Sequence, residues 1–431
     1  MRARLSLTSG ALACALILGS TAAIAAPGDD PAAPPGGTPL GGADRTERAD
    51  RAERPGLRAE RGPQHTSGGE PGLLAPVVPQ RLLRFAQRSE PVRSDVAPGV
   101  SLTRWDEADA RGPQRFSLLT VDPSVPGVSL DYAGARNVSG TATLPTLLAG
   151  SATVAGVNGD FFDIGDTGAP LGTGRDLERG VLHGRRSGWT SSFLVDKRGR
   201  ADIDEVALRA GVRQRPGMKV TNLNSPFVEP GGVGIYTSAW GTTSGYRVTS
   251  GQRRGVRMVL VRGGRVVRTR ARLSAGERIR GTLLVGRGAG ARALGKLRKG
   301  SRVDVRWWLQ GGPRMAISGN KVLVRDGVVE VVDDREMHPR TAIGIDRDTG
   351  EVLVLVVDGR QEVSRGATMV ELAATMIDLG ADEALNFDGG GSTTMVTRRA
   401  TGGLGVVNTP SDGHLRQVAN ALQVRYTPPR G

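Results

Sequence analysis

Residues 352–391 read VLVLVVDGRQEVSRGATMVELAATMIDLGADEALNFDGGG. The run 352–357 is apolar without a break and ends at Asp358-Gly359-Arg360-Gln361, as a strand buried on both faces would. Over 366–379, Met369, Val370, Leu372, Ala373, Met376, Ile377 and Leu379 form an apolar stripe at helical spacing, and Gly380 supplies a stop. The helix methionines read as core packing. A second short apolar approach then carries Asn386 and Asp388 into Gly389-Gly390-Gly391-Ser392-Thr393. Strand, carboxylate turn, helix, strand, carboxylate turn is a crossover unit. A right-handed crossover makes its strands a parallel pair and sets Asp358 and Asp388 at one sheet edge, where open sheets place ligand sites.

Consecutive glycines let the backbone take φ > 0 and approach a ligand closely. Their amides can turn together as an anion-accepting nest. A plain tight hairpin is the alternative, but it would not need Asn386, Asp388, Ser392 and Thr393 around it. Upstream, a short helix over 144–152 precedes Val154-Ala155-Gly156-Val157, a buried strand that delivers Asn158-Gly159-Asp160-Phe161-Phe162-Asp163. The same residues would serve a plain turn after a strand. An amide, two carboxylates and two aromatics leaving one strand end also suit a sugar, whose ring stacks on aromatic faces while Asn and Asp take hydroxyls. Short strands at 100–105, 114–121, 192–195, 234–237, 257–261 and 303–310 fill much of the remainder. The expected fold class is therefore α+β, a mixed strand-rich core with few helices and the site at strand C-terminal ends.

The chain of 431 residues is long enough for one large domain or two ordinary ones. Arg2 and Arg4 precede an apolar run over 11–24, and Ala23-Ile24-Ala25 offers a small-x-small cleavage pattern. Residues 1–25 thus read as a secretory signal peptide cut after Ala25, too short to span a membrane. The single cysteine, Cys14, lies inside it behind a poor lipoprotein box, so no disulfide staples the mature chain and core burial must stabilise it. Residues 26–80 are Pro- and Gly-rich, then alternate acid and base without an apolar face, and are expected to form a disordered tether. Folded sequence is expected from Arg81, with 82–85 as a docking segment. On this reading 81–140 is a β-rich segment packing on a catalytic domain of 141–428. The formal charge of +15 reads as a compositional habit, because arginines are spread along the chain and aromatics make up only 4%. Residues 253–306 hold 15 Arg and two Lys against Glu277 and Asp304. No helix-turn-helix, zinc spacing or stacking ladder accompanies them, so they read as the polar outer face of β-hairpins, and nucleic acid is not an expected partner.

Six segments carry a family resemblance: Gly156-Val157-Asn158-Gly159-Asp160-Phe161-Phe162, Arg340-Thr341-Ala342-Ile343-Gly344, Val357-Asp358-Gly359-Arg360, 366–373, 386–395, and Pro410-Ser411-Asp412-Gly413 before 418–422. In this order and spacing, over 144–424, they resemble the phosphodiester glycosidase family. The resemblance implies an exported hydrolase that cuts a sugar from a phosphodiester. The cysteine-rich and membrane-spanning parts of the family's namesake have no counterpart here, so its targeting and partners do not carry over.

Cleavage at the anomeric carbon of a sugar 1-phosphodiester expels a phosphate monoester, already a good leaving group. The site therefore needs a clamp for the anion and a carboxylate that activates water or attacks the oxocarbenium-like centre. Asp388 is the first candidate for that carboxylate, Asp358 the second and Asp160 the third. Arg340 and Arg360 are candidate clamps, since guanidinium takes phosphate oxygens in pairs. Gly389, Gly390, Gly391, Ser392 and Thr393 would share that task. Asn158 would orient the sugar, and Phe161, Thr341, Asn386 and Asp412 complete the expected substrate-binding set. His183 and His338 lie near the motifs and could assist protonation. No cofactor or metal is expected, and a calcium at Asp160, Asp163 and Asp166 is the minor alternative, an oxygen-ligand loop left incomplete. Ser392 lacks the elbow of a triad nucleophile. The expected partner is a phosphate-linked glycan or polysaccharide, without stable membrane insertion. The competing reading is a catalytically silent extracellular glycan-binding module on a flexible tether.

Overall fold

The strand Val352–Val357 buries all six side chains in the middle of a nine-stranded sheet. Burial of that kind contributes about 1.5–3 kcal/mol per large aliphatic residue. This computed structural model describes residues 66–83 and 85–429. The expected signal peptide and most of the expected tether lie outside the described residues. On one side Val352–Val357 pairs antiparallel with Gly112–Val121, which continues to Val100–Asp109. On the other it pairs antiparallel with Arg340–Ile345, which pairs antiparallel with Glu383–Asn386. The crossover strands Val352–Val357 and Glu383–Asn386 therefore run parallel, as the sequence implies, but they are not adjacent. Arg340–Ile345 is inserted between them in the opposite sense, which corrects the expectation of a directly paired parallel unit.

That insertion positions the site. The register sets Arg340 opposite Val357 and Ala342 opposite Asn386. The start of one strand thus sits between the two carboxylate-bearing ends of its neighbours. The helix Met369–Asp378 crosses behind the sheet with Leu372, Ala373 and Met376 buried. It is shorter at the front than the expected 366–379 because Thr368 and Glu371 form a capping box that fixes the first turn. Arg365 donates to Glu371 at 2.9 Å and to Asp109 at 2.9 Å, and Arg111 to Asp334 at 2.6 Å and Glu371 at 2.9 Å. This buried charge network pins the loop entering the helix.

A five-stranded sheet brings up the upstream motif. Thr153–Asn158 lies between Met395–Arg398 and Asn420–Tyr426, and the latter pairs with Val128–Gly134. Residues 81–140, expected as a segment packing on the domain, supply strands to both this sheet and the nine-stranded one. A ten-stranded sheet formed within 174–318 completes the larger layers. The expected helix over 144–152 is a single turn, Leu144–Leu147. Two expectations at the front of the chain need correction. Residues 66–74 are not tether: Thr66 bridges to Asp163 and Leu73–Leu74 pairs with Glu336–Met337. Residues 82–85 do not dock through their apolar groups, since Leu82 and Phe85 are 43% and 77% exposed.

Candidate active site

The second carboxylate turn is held by bonds reaching two other segments, 158–159 and 339–341. The Phe387 amide donates to the Thr341 carbonyl at 2.9 Å, the Asp388 amide to Gly159 at 2.9 Å and the Gly390 amide to Pro339 at 2.9 Å. Asn158 ties the same turn down, its Nδ2 donating to the Asp388 carbonyl at 2.6 Å. Its Oδ1 accepts from Thr341 Oγ1 at 2.9 Å and from the Thr394 amide at 3.0 Å. A Cβ at Gly391 would run into the Asp412 carboxylate and the Arg416 guanidinium, so a larger residue there would have to displace that ion pair.

Asp388 is buried in this turn, and among the described residues no hydrogen bond of normal geometry reaches its Oδ2. Its Oδ1 accepts the Gly389 amide at 3.0 Å. Burial pushes the carboxyl up to about 7, against a smaller pull downward from Ser392, Ser67, the Arg416 charge and the Gly389 amide. A carboxyl near neutrality can exchange protons at working pH, as a general acid or base must.

A cavity of about 190 Å3 opens here, lined by Phe161, Glu70, His338, Arg340, Arg360 and Gly390 among others. Arg340 is buried, donating Nε to the Ala367 carbonyl at 2.9 Å and Nη2 to Glu336 at 3.2 Å. Among the described residues it makes no ion pair, and burial lowers its pKa to about 10. A buried cation without a carboxylate partner favours an incoming anion. Arg360 holds a left-handed backbone at φ 60°. Its Nη1 donates to Glu70 Oε2 at 2.6 Å, and its Nη2 to His338 Nδ1 at 3.2 Å. The other Glu70 oxygen accepts from Arg416 Nη2 at 2.6 Å. One carboxylate thus bridges two guanidiniums in the way a phosphate would. Burial works against the Glu70 charge, but Arg360 and Arg416 outweigh it and hold its carboxyl below the usual range. The segment carrying it passes over the site, with Ser67 buried against Phe162 and Gly68 packed on the Phe161 ring.

Several expected site residues stand away from the cavity walls. Asp358 is spent on the next loop, accepting from Asn408 Nδ2 at 2.9 Å and the Thr409 amide at 3.1 Å. Burial raises its pKa, opposed by those same donors. Asp160 accepts the Gly172 amide at 2.8 Å. Asn158 and Thr341 are fully buried and hydrogen-bonded to one another and around the Asp388 turn. Asn386 donates to Asn320 at 2.8 Å. The expected glycine nest is largely consumed, since the Gly389 amide meets Asp388 and the Gly390 amide meets Pro339. Among the described residues the buried Ser392 and Thr393 hydroxyls make no hydrogen bond of normal geometry. Asp412 holds Arg416 Nε at 2.8 Å. The three carboxylates weighed for calcium face separate partners: Gly172 for Asp160, Thr167 for Asp163 and Arg247 for Asp166. His183 is buried against Tyr132 at 2.9 Å, and burial lowers its pKa to about 4. Sequence reading missed Arg416 and Glu70, because no local pattern announces a bridge across 346 residues.

Neither Asp388 nor Arg416 lines the cavity; Asp388 adjoins it through Gly389 and Gly390, and the charged groups on its walls are Arg340 and Arg360 with Glu70, Asp333 and Glu336. Residues 241–425 match the phosphodiester glycosidase family model. Arg340, Arg360, Asp388 and Arg416 lie inside the match, whereas Asn158, Asp160 and Phe161 join it through strand pairing. A hypothetical protein of Synechocystis is similar in structure, with a TM-score of 0.65 and 21% identity, covering 79% of this chain and 64% of that one. A Burkholderia pseudomallei protein named as a candidate exported protein gives 0.64 and 20%, covering 82% of this chain and 99% of that one. At such identities the likeness is one of fold. The SPbeta prophage-derived uncharacterised protein YomE of Bacillus subtilis is 36% identical over 89 residues, 21% of this chain and 13% of that protein.

Proposed function

We propose that this chain is an exported hydrolase that releases a sugar from a glycosyl 1-phosphodiester in cell-envelope or exopolysaccharide material. The observation that carries the proposal is Asp388, a buried carboxyl brought to about 7 on the turn whose Gly389 and Gly390 line the cavity with Arg340 and Arg360. Water attacks the anomeric carbon, its proton passes to the Asp388 carboxylate, and the bond from that carbon to the phosphate oxygen breaks. The phosphate monoester leaves with the electron pair, held by the guanidiniums. Glu70 occupies the Arg360–Arg416 pair, so substrate must displace it. Export rests on the leading 25 residues of sequence and on the Burkholderia relative's description. Among the described residues no helix is long and apolar enough to cross a membrane.

One observation favours the silent glycan-binding module: Asp358 and Asp160, the other two carboxylates expected to act, are both engaged by structural donors, whereas a two-carboxylate glycosidase needs a partner for Asp388. The deciding experiment measures free sugar released from a panel of sugar 1-phosphodiesters by wild type and Asp388→Asn. Turnover by wild type alone supports the hydrolase. Saturable binding by both proteins with no turnover by either supports the module.

A further inference from the structure

Arg360 is held from two sides, and only one of them survives the arrival of a ligand. Toward the segment 66–74, its Nη1 donates to Glu70 Oε2 at 2.6 Å and its Nη2 to the Pro71 carbonyl at 3.3 Å. On the other side Nη2 lies 3.2 Å from His338 Nδ1. The first two contacts are lost when an anion displaces Glu70 and its segment. His338 stays, because it lies two residues before the buried strand Arg340–Ile345 and exchanges backbone hydrogen bonds with Ala367 at 3.2 and 2.9 Å. Among the described residues the Arg360 side chain then keeps no other hydrogen bond.

The two neighbours of the imidazole fix its proton. A guanidinium can only donate, so Nδ1 must offer its lone pair, and the single proton of the neutral ring is assigned to Nε2. Nε2 lies 3.2 Å from Glu336 Oε2, a carboxylate oxygen that accepts it. Only the neutral ring with its proton on Nε2 satisfies both partners at once. The side chain is 14% exposed, and a Cβ on Gly72 would stand 2.4 Å from Nε2, so the segment 66–74 packs directly on the ring. The charged groups facing it are Glu336 and Arg340 on its own segment, Arg360 after the strand Val352–Val357, and Asp333 and Glu70 on the cavity walls. Burial, then the Arg340 charge, lowers its pKa against the pull of Glu336, which keeps the ring neutral near pH 7. Arg360 itself sits at φ 60°, a strained backbone that persists only where the surroundings over-determine it.

We propose that His338 is a positioning residue for the anion clamp: its Nδ1 lone pair holds the Arg360 guanidinium in the cavity after Glu70 has left, ready for the departing phosphate. That the anion is a phosphate rests on the proposed function; the dependence of Arg360 on His338 does not. In this role His338 donates no proton to substrate. Protonation of the ring sets an N–H against the guanidinium N–H and brings a third cation beside Arg340 and Arg360. Arg360 then swings away and the clamp opens.

The test uses the full chain carrying Glu70→Ala, which removes the competing carboxylate, and Asp388→Asn, which removes the other group titrating near neutrality. Inorganic sulfate is the probe, because it stays dianionic throughout, and calorimetry reads its binding. Near pH 7.5, adding His338→Leu is expected to weaken sulfate binding about tenfold. His338→Asn should restore most of it, since Asn Oδ1 stands where Nδ1 stood and can accept from Arg360. Between about pH 7.5 and pH 5, affinity should fall in the protein that keeps His338 and stay flat in the Asn variant. Equal affinity in all three proteins overturns the proposal, as does no sulfate binding by the protein that keeps His338. Affinity that rises as pH falls also overturns it, because the imidazolium would then act only as an added charge. If His338→Leu does not fold, the Asn variant and the pH series decide. With Glu70 and Asp388 intact, His338→Leu is expected to lower kcat on a sugar 1-phosphodiester about tenfold, with recovery by His338→Asn. Turnover by wild type and His338→Leu alike overturns the positioning role and leaves the hydrolase. No turnover by wild type, with sulfate binding still dependent on His338, sinks the hydrolase reading and leaves the positioning role standing.

Discussion

Replacing Asp388 by Asn is expected to stabilise the protein while abolishing its activity, with a defined dependence on pH. Burial raises this carboxyl from 3.8 to about 7. A folded pKa above the unfolded one means that the folded state binds the proton more tightly, so stability falls as pH rises between the two values. At about 1.4 kcal/mol per pH unit, the ionised carboxylate costs the fold about 4 kcal/mol above pH 7 and almost nothing below about pH 4. Asn keeps the oxygen that accepts the Gly389 amide and cannot ionise. The variant should therefore match wild type near pH 4, exceed it by about 2 kcal/mol near pH 5.5, and exceed it by about 4 kcal/mol near pH 8. Urea denaturation of both proteins across this range reads the difference from the midpoints, provided the slopes agree. A difference that stays flat with pH would refute the idea that Asp388 carries an unfavourable buried charge. Turnover should move the other way, rising through about pH 7 as the base ionises. A profile that falls there instead would make Asp388 the acid.

Three further outcomes follow from the same geometry. Glu70→Ala should free Arg360 and Arg416; because Glu70 is partly exposed each lost contact is discounted to about 1 kcal/mol, and inorganic phosphate should bind about fivefold tighter by calorimetry. Unchanged phosphate affinity would count against the cation pair as an anion site. Arg340→Met removes a buried cation and its two hydrogen bonds to the Ala367 and Glu336 carbonyls, so stability should fall by about 1–2 kcal/mol while turnover drops about 10²–10³-fold; undiminished turnover would exclude Arg340 from the clamp. Asn158→Ala breaks three buried hydrogen bonds around the Asp388 turn and should cost about 3 kcal/mol. An unchanged midpoint would show that the turn is held by other contacts.

Much of the local structure was legible in the sequence because it depends on neighbours. The apolar run 352–357, the stripe from Met369 to Leu379 and the stop at Gly380 specify strand, helix and end through spacing alone. The capping pair Thr368 and Glu371 lies within a single turn of chain. Handedness then places both carboxylate turns at one edge, since a twisted strand feeding a helix returns in one sense. Only the tertiary structure decided which polar residues are tied into the fold and which keep an unpartnered group. Periodicity reports that a strand is buried, not which strand lies beside it, so the insertion of Arg340–Ile345 between the crossover strands was not available from spacing. Asn158 and Thr341 look like ligand binders in sequence, yet buried polar groups must be satisfied, and theirs are satisfied inside the fold. Asp358 and Asp388 end similar strands, but Asn408 and Thr409 close on the first while the second keeps an unpartnered oxygen. Desolvation is a property of the assembled surroundings, and it separates two carboxylates that the sequence presents as near equals.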